Sequence, residues 1–464
     1  MNEKSPGIVH KFLRLFSVIH PGEALTVFLL SINVFFIIGV YYVLKPIRKG
    51  LILTDYGAAE ESYLYAVVAI LLIFVVKVFS YASSKIPRHV LISSVTLFFI
   101  SNLALFFILN SAGLPISILG PIFWIWLSIF SVFIIAQFWA FANDIYTEEA
   151  GKRLFPIIMF GQNVGAYVGV TSLSKLLKPK GPFSVFQMML MAGIFLTISI
   201  VLTLIIHKKE IKRIETKKTD QIAEKTKKKE VEPLKKGGGF RLIFKSRYLV
   251  LIAFMILALN YVNTTGEFMK SDIWTRAADN AAETGKIETT PEARTQFIAK
   301  TEADFMRLVN LLTMLIQLFL VSRIFKWFGV RVAMFFLPFM ALGGYFFISM
   351  GTTFALVKWT KTAENSTDYS LMNTVKQALF LVTSREAKYK AKAAIDTFFV
   401  RAGDLLHALT VFVGTTYLAF RLENFARINV VVAVIWIILC VLIAKQHKKI
   451  SSKNAPTAQQ GPTV

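Results

Sequence analysis

The chain has 464 residues, of which 55% are hydrophobic and only 17% are charged, with a formal net charge of +24 and a mean hydropathy of +0.58. A soluble domain of this size needs far more charge on its surface, so the composition excludes the soluble class. The apolar residues come in blocks of about 20 or more, the length of a helix that crosses a hydrocarbon core of roughly 30 Å. Such continuous blocks also exclude a β-barrel. The composition therefore predicts an all-α polytopic membrane protein.

Twelve segments are predicted to span the membrane, six before and six after a basic stretch. The first six lie at 22–50, 62–82, 89–110, 116–142, 155–177 and 183–206. The second six lie at 248–270, 304–325, 330–352, 354–381, 393–421 and 428–444. The basic stretch at 207–247 contains 15 Lys and Arg, which predicts a linker between two membrane halves.

Lysine and arginine placement predicts the orientation, because cytoplasmic loops carry an excess of these residues. The N-terminus, the linker and the basic C-terminal tail are expected in the cytoplasm, with the spans in a bacterial inner membrane. Termini on one side require an even number of spans, which is why the charged stretch 354–381 counts as one. The segment Asp272–Ala303 then faces the far side. The linker is expected to attract anionic lipid rather than nucleic acid.

The predicted domains follow from these spans. They are a six-helix half at 1–206, the linker at 207–247, a second six-helix half at 248–445 and a disordered cytoplasmic tail at 446–464. Two six-helix halves joined by a cytoplasmic linker are the architecture of the major facilitator superfamily. A faint internal repeat agrees, because Lys45 and Arg48 in the first span have the same spacing as Glu267 and Lys270 in the seventh.

Charges inside the spans suggest the function, because an ionisable side chain at mid-bilayer costs about 2.5–3.5 kcal/mol and usually lines a cavity or has a partner. Lys45, Arg48 and Lys49 share one helix face, and the apolar residues after them predict that the helix continues. These three residues lie at the non-cytoplasmic end of the first span, where the excess of Lys and Arg in cytoplasmic loops does not predict positive charge. That favours a functional role over the alternative, an interfacial anchor.

A polar stripe is predicted in the stretch 354–381. At about 100° per residue, its members fall within an arc of roughly 100°. They are Lys358, Lys361, Asn365, Asp368, Tyr369 and Lys376. A water-filled pathway requires such a stripe on a span; the alternative is an exterior polar loop with accidental periodicity.

Further polar residues are candidates for the same site. Arg401 and Asp404 are three residues apart, so a structural pair is as reasonable as a substrate role. Glu267 and Lys270 correspond to the matching cluster of the first half. The remaining candidates, whose side chains also commonly hydrogen-bond neighbouring helices, are Asn143, Asp144, Gln162 and Asn163.

Enzyme motifs are absent from the sequence: it has no Walker-type glycine loop, HExxH, nucleophile elbow or dinucleotide-binding turn. The single cysteine, Cys440, lies in an apolar run and predicts neither a disulfide nor a thiol-ligated metal. We therefore expect no enzymatic activity, no catalytic residues, no cofactor and no metal, and a monomeric protein.

Four segments together carry a family resemblance. They are LKPIRKGLIL at the end of the first span, FWAFANDIYTEEAGKRLFPIIMFGQNVGAYVG, DYSLMNTVKQALF and KYKAKAAID. These segments resemble the ATP/ADP antiporter family of plastids and intracellular bacteria. The resemblance implies a facilitator-like fold that exchanges nucleotides across a membrane without hydrolysing them. It places Arg48 where the family has a basic residue.

The chain departs from the family's nucleotide exchangers in the fourth and eleventh spans. Apolar residues surround Leu127, where the family has an acid, and Asp404 in AGDLLHA stands in the place of a lysine. The family also has an acid in the seventh span, and Glu267 lies near the corresponding position. An acid in place of a cation removes attraction for a phosphate chain, so the substrate stays open between ATP/ADP and another organic anion.

The sequence thus predicts a carrier with an anion site between its two halves. The cations of this site are Lys45, Arg48, Lys49, Lys270, Lys358 and Lys376. The acids expected to balance them in the empty carrier are Glu267, Asp368 and Asp404. One alternative is a proton-coupled carrier of a different solute that uses one of these acids as proton acceptor. Another is a non-transporting scaffold that holds a partner through the basic linker, and a membrane enzyme fits worst.

Overall fold

The computed structural model describes residues 23–86, 88–146, 148–177, 182–220, 239–384 and 386–454. Within these ranges the regular structure is helical. A helix satisfies its backbone N–H and C=O groups within one segment, as a bilayer core requires. The protein is an all-α polytopic membrane protein, as predicted.

Six long helices lie in the described ranges of the first part of the chain. They are α1 (Ala24–Asp55), α2 (Ala58–Lys85), α3 (Arg88–Ser111), α4 (Ile116–Ile145), α5 (Glu148–Leu176) and α6 (Val185–Asp220). Each contains most of one predicted span, and α1 continues past Arg48 and Lys49 as predicted. The beginning of the predicted linker is helical because α6 continues beyond residue 206, and residues 221–238 lie outside the described ranges.

The second part of the chain contains ten helices within the described ranges, some separated by π-helical turns. They are α7 (Gly239–Lys245), α8 (Arg247–Glu283), α9 (Pro291–Leu315), α10 (Val321–Ala333), α11 (Phe336–Met350), α12 (Phe354–Thr367), α13 (Asn373–Leu379), α14 (Lys392–Ala394), α15 (Val400–Thr416) and α16 (Leu422–Asn454). The π-helical turns are Ile316–Leu320, Asp368–Met372, Ala387–Ala391 and Ile395–Phe399.

Nine helices in the described part of the chain are long and apolar enough to cross a membrane, and α11 is a shorter apolar helix. The charged stretch 354–381 does not reach that apolarity, yet it is helical from Phe354 to Leu379 because the turn Asp368–Met372 joins α12 to α13. The interior of this stretch is buried at Lys361, Asn365 and Asp368. The residues from Phe354 to Leu379 therefore form helix, and the alternative of a loop is wrong for them.

One predicted boundary needs correction, and one connecting segment is more helical than its charge suggests. The prediction of disorder from residue 446 is wrong up to Asn454, where α16 ends, and residues 455–464 lie outside the described ranges. The mixed-charge segment Asp272–Ala303, which lies between two predicted spans, is mostly helical, since α8 ends at Glu283 and α9 begins at Pro291. Lysine, alanine and glutamate favour helix as strongly as many apolar residues do, so hydropathy underestimates helix length.

The described residues fall into two compact units. Unit 1 comprises those within Met1–Gly57, Ile70–Glu230 and Trp274–Asn310, and unit 2 those within Ala58–Ala69, Val231–Ile273 and Leu311–Val464.

The packing of α1 against α5 in unit 1 depends on glycine. Gly161, Gly165 and Gly169 recur at intervals of four and so share one face of α5. A Cβ atom at Gly161 would lie 2.5 Å from the Ser31 carbonyl oxygen, and one at Gly165 would overlap the Phe35 carbonyl oxygen. Small residues allow helix backbones to approach closely in membranes, where van der Waals contact rather than the hydrophobic effect drives association.

The segment Trp274–Asn310 packs within unit 1 as a helical hairpin. The Thr54 and Thr295 hydroxyls lie 2.6 Å apart in a buried hydrogen bond. The Trp274 Nε1–H donates to the buried Glu302 carboxylate at 2.7 Å. The hairpin is therefore a packed part of the fold and not an unstructured connection.

We expect Gly165→Ala to lower the thermal unfolding temperature of the detergent-solubilised protein, since the added methyl overlaps the Phe35 carbonyl. Overpacking of this kind costs about 1–3 kcal/mol. The matched control is Gly343→Ala in α11, where no atom beyond the chain neighbours and the nearby backbone of the same helix lies within 4 Å of the added Cβ. Replacing a helical glycine there stabilises by about 1 kcal/mol. Equal unfolding temperatures for the two variants would contradict the proposed close packing.

Candidate functional site

Four ionisable side chains of unit 2 form a buried network, the Glu267 cluster, made of Glu267, Lys270, Lys361 and Glu364. The Lys270 ammonium lies 2.8 Å from Glu267 Oε2, and the Lys361 ammonium lies 3.5 Å from Glu267 Oε1. Lys361 also lies 3.2 Å from Glu364 Oε2. Both lysines are fully buried, whereas Glu267 retains some exposure. Two ammonium and two carboxyl groups therefore balance within the cluster.

Helical spacing brings these groups together. Glu267 and Lys270 are one turn apart on α8, and Lys361 and Glu364 are one turn apart on α12. Gly266 allows the approach between the helices, because a Cβ there would overlap the Tyr345 hydroxyl and lie 3.0 Å from Lys361 Nζ. With any larger residue beside Glu267, the Tyr345 and Lys361 side chains would have to move from their places in the cluster.

Neutral groups complete the hydrogen bonding of the cluster. The Tyr345 hydroxyl donates to Glu364 Oε2 at 2.5 Å, and the Asn365 amide donates to Glu267 Oε1 at 3.1 Å. Lys361 donates to the Asn263 side-chain oxygen at 2.8 Å. Buried charges are tolerated only when paired and hydrogen-bonded, and removing one partner leaves an uncompensated charge.

Two further cations of unit 2 also have carboxylate partners. Arg401 Nη1 lies 2.9 Å from Asp404 Oδ2, so the predicted neutralising pair is confirmed. The other Asp404 oxygen accepts hydrogen bonds from Asn260 at 2.7 Å and Thr264 at 3.2 Å. Lys376 Nζ lies 3.6 Å from the Asp368 carboxylate, a longer and weaker contact.

Arg48 in unit 1 has a different environment. Its guanidinium carbon lies 4.6 Å from the centre of the Trp124 ring, and its Nη1 donates to the Ser128 hydroxyl at 3.0 Å. Among the residues that the structure describes, no carboxylate pairs with Arg48. The side chain is half-buried on a membrane-spanning helix. Its positive charge is thus held by neutral groups and stays available to an anion.

The other predicted site residues are dispersed within their units. Lys45 lies 5.8 Å from the Tyr42 ring, and Lys49 is buried. Lys358 lies 5.9 Å from the Phe354 ring, one turn before Lys361. Asn143 and Asp144 are exposed at the end of α4, and Gln162 and Asn163 are half-buried on α5.

Sequence reasoning missed three residues of the Glu267 cluster and its surroundings. Glu364 was not considered, although it lies three residues after Lys361, a spacing that favours an intrahelical pair. Tyr345 and Asn263 gave no comparable signal, because their contacts join different helices. Lys361 belonged to the predicted stripe but not to the predicted anion site.

A family model, TLC ATP/ADP transporter, matches residues 121–447. The chain belongs to this family. No curated protein sequence matches the chain significantly. The protein is a secondary transporter integral to a membrane.

Solved structures of transporters share the fold of this TLC family member. The nucleoside transporter NupG is 11% identical, with 92% of this chain and 99% of that chain covered and a TM-score of 0.56. A peptide transporter POT in complex with sulfate is 10% identical, with coverages of 95% and 98% and a TM-score of 0.58. A bacterial homologue of the iron transporter ferroportin is 11% identical, with coverages of 90% and 98% and a TM-score of 0.60. These similarities support the major-facilitator-like architecture.

We expect Lys361→Met to destabilise the protein strongly, since it leaves Glu364 without its ammonium partner. Breaking a buried pair costs about 3–5 kcal/mol. The control is Lys358→Met on the same helix, where a half-buried ammonium near a phenyl ring is lost. Thermal unfolding in detergent compares the two variants. The double variant Lys361→Met/Glu364→Gln should recover part of the loss, and no recovery would contradict the pairing.

Proposed function

We propose that this transporter exchanges nucleotides or related organic anions by alternating access, as an ATP:ADP antiporter does. The observation that carries the proposal is the environment of Arg48, a guanidinium on a membrane-spanning helix whose contacts are an indole ring and a hydroxyl. A guanidinium binds carboxylate or phosphate through paired N–H donors. An anionic solute would supply the charge that Arg48 lacks in the described part of the protein.

The acids of unit 2 fit the same proposal as internal counter-charges. Glu267, Asp368 and Asp404 each lie against a lysine or an arginine. A carrier must be stable without its solute, and these acids would neutralise the neighbouring cations in that state. The remaining predicted residues join the proposed substrate-binding set. They are Lys45, Lys49, Asn143, Asp144, Gln162, Asn163, Lys270, Lys358, Lys376 and Arg401.

The family description supports the choice of nucleotide, because the matching model is that of ATP/ADP transporters. The proposed solutes also include other organic anions. We also propose a monomer in a bacterial inner membrane with cytoplasmic termini. Its two halves at 1–206 and 248–445 would be joined by a linker that attracts anionic lipid.

Counterflow in proteoliposomes tests the proposed function. Vesicles containing unlabelled ATP should take up labelled ADP, and vesicles without internal solute should not. Vesicles loaded with other phosphorylated solutes define the substrate range. Uptake that follows a pH gradient without internal solute would instead identify a proton-coupled carrier and overturn the exchange proposal.

We expect Arg48→Ala to reduce exchange by about 10- to 100-fold, because a hydrogen bond to a charged group is worth about 1.5–3 kcal/mol. Arg48→Lys should be intermediate, since an ammonium keeps the charge but loses the paired geometry. The control is Arg323→Ala, where an exposed arginine donates to the Phe319 carbonyl of its own helical segment. If Arg48→Ala exchanges as fast as Arg323→Ala, Arg48 does not bind the solute.

A further inference from the structure

Trp124 and Ser128 form a neutral support around Arg48. The two residues are one turn apart on α4, and both are buried. Trp124 presents its ring to the guanidinium at 4.6 Å, and Ser128 accepts from Nη1 at 3.0 Å. The support thus consists of one π-face and one hydroxyl oxygen.

Ser128 is oriented to accept a hydrogen bond from Arg48. Its own hydroxyl donates to the Trp124 carbonyl oxygen at 2.8 Å. The hydroxyl proton is therefore engaged by the backbone of the preceding turn, and an oxygen lone pair is left for the guanidinium. Ser128 links the backbone at Trp124 to the guanidinium of Arg48.

The support uses only part of the binding capacity of Arg48. A guanidinium has five N–H donors and two flat faces. The described contacts engage one donor with Ser128 and one face with Trp124. Neither contact neutralises the positive charge, so donors and full charge are retained for an anion. A carboxylate at Ser128 would instead occupy two donors and cancel that charge.

We propose that Trp124 and Ser128 are positioning residues that hold Arg48 in a fixed, uncompensated state and so set the preference for highly charged anions. The inference rests on the proposed function, because it assigns a role in the same anion recognition. Trp124 fixes the plane of the guanidinium, and Ser128 fixes its rotation within that plane.

Trp124→Leu should raise the KM for exchange roughly 5- to 30-fold, in line with a desolvated cation–π contact. The maximal rate should change little, because the group affected binds the solute. Trp124→Phe keeps an aromatic face and should restore most of the affinity. If Leu and Phe at this position give the same KM, or if only the maximal rate falls, Trp124 does not position Arg48.

Ser128→Asp tests the charge preference directly. The added carboxylate would pair with Arg48 and should raise the KM of a nucleoside triphosphate at least about tenfold more than that of the monophosphate. The matched control is Ser117→Asp, near the start of the same helix and roughly 16 Å away along its axis. A general folding defect lowers the exchange of both solutes alike. An unchanged ratio of the two KM values in Ser128→Asp would overturn the inference.

The two proposals fail in distinguishable ways. If the wild-type carrier exchanges no phosphorylated solute, the proposed function fails and this inference fails with it. If the wild type exchanges them and Arg48→Ala abolishes exchange, unchanged KM values in the Trp124 and Ser128 variants overturn only the positioning role. Thermal unfolding of each variant in detergent confirms that the compared proteins are folded.

Discussion

A charge inside a membrane must be stabilised by another charge or by a dipole, and Arg48 and the Glu267 cluster meet that requirement differently. In unit 2, Lys270 and Lys361 lie against carboxylates in a hydrogen-bonded network. In unit 1, Arg48 lies against a ring and a hydroxyl. Loss of a paired cation leaves an unpaired acid, which destabilises the fold. A cation held by neutral groups keeps its attraction for a solute.

Much of the fold follows from the sequence, because a hydrocarbon core imposes both helical backbone and helix length. The stretch 354–381 is difficult to assign from hydropathy because it contains several charged residues. Its helical nature was predicted from an even span count and a one-sided polar stripe, and the buried Lys361 and Asp368 agree with that prediction. The pairing of Arg401 with Asp404 was also predictable, since residues three apart share a helix face.

Other features lie beyond sequence reasoning because they depend on contacts between distant segments. Tyr345 meets Glu364 only through the packing of α11 on α12, and nothing in its neighbourhood in the sequence signals this contact. The contacts of Arg48 with Trp124 and Ser128 could not be predicted, because both residues lie in an apolar span near Leu127 and are common in membrane helices. The sequence analysis ended α6 and α16 too early because it used hydropathy. Hydropathy identifies the apolar part of a helix, whereas the helix itself can continue through polar residues.

The glycines of α5 have a mechanical consequence. Where a glycine meets the carbonyl of Ser31 or Phe35, no flexible side chain lies between the two backbones to absorb a displacement. A slide of α1 past α5 by a fraction of a turn would drive side chains into main-chain atoms, and such close-packed seams resist gradual deformation. We therefore expect α1 and α5 to move as one rigid body during transport. The conformational changes of the transport cycle would then occur in other parts of the chain.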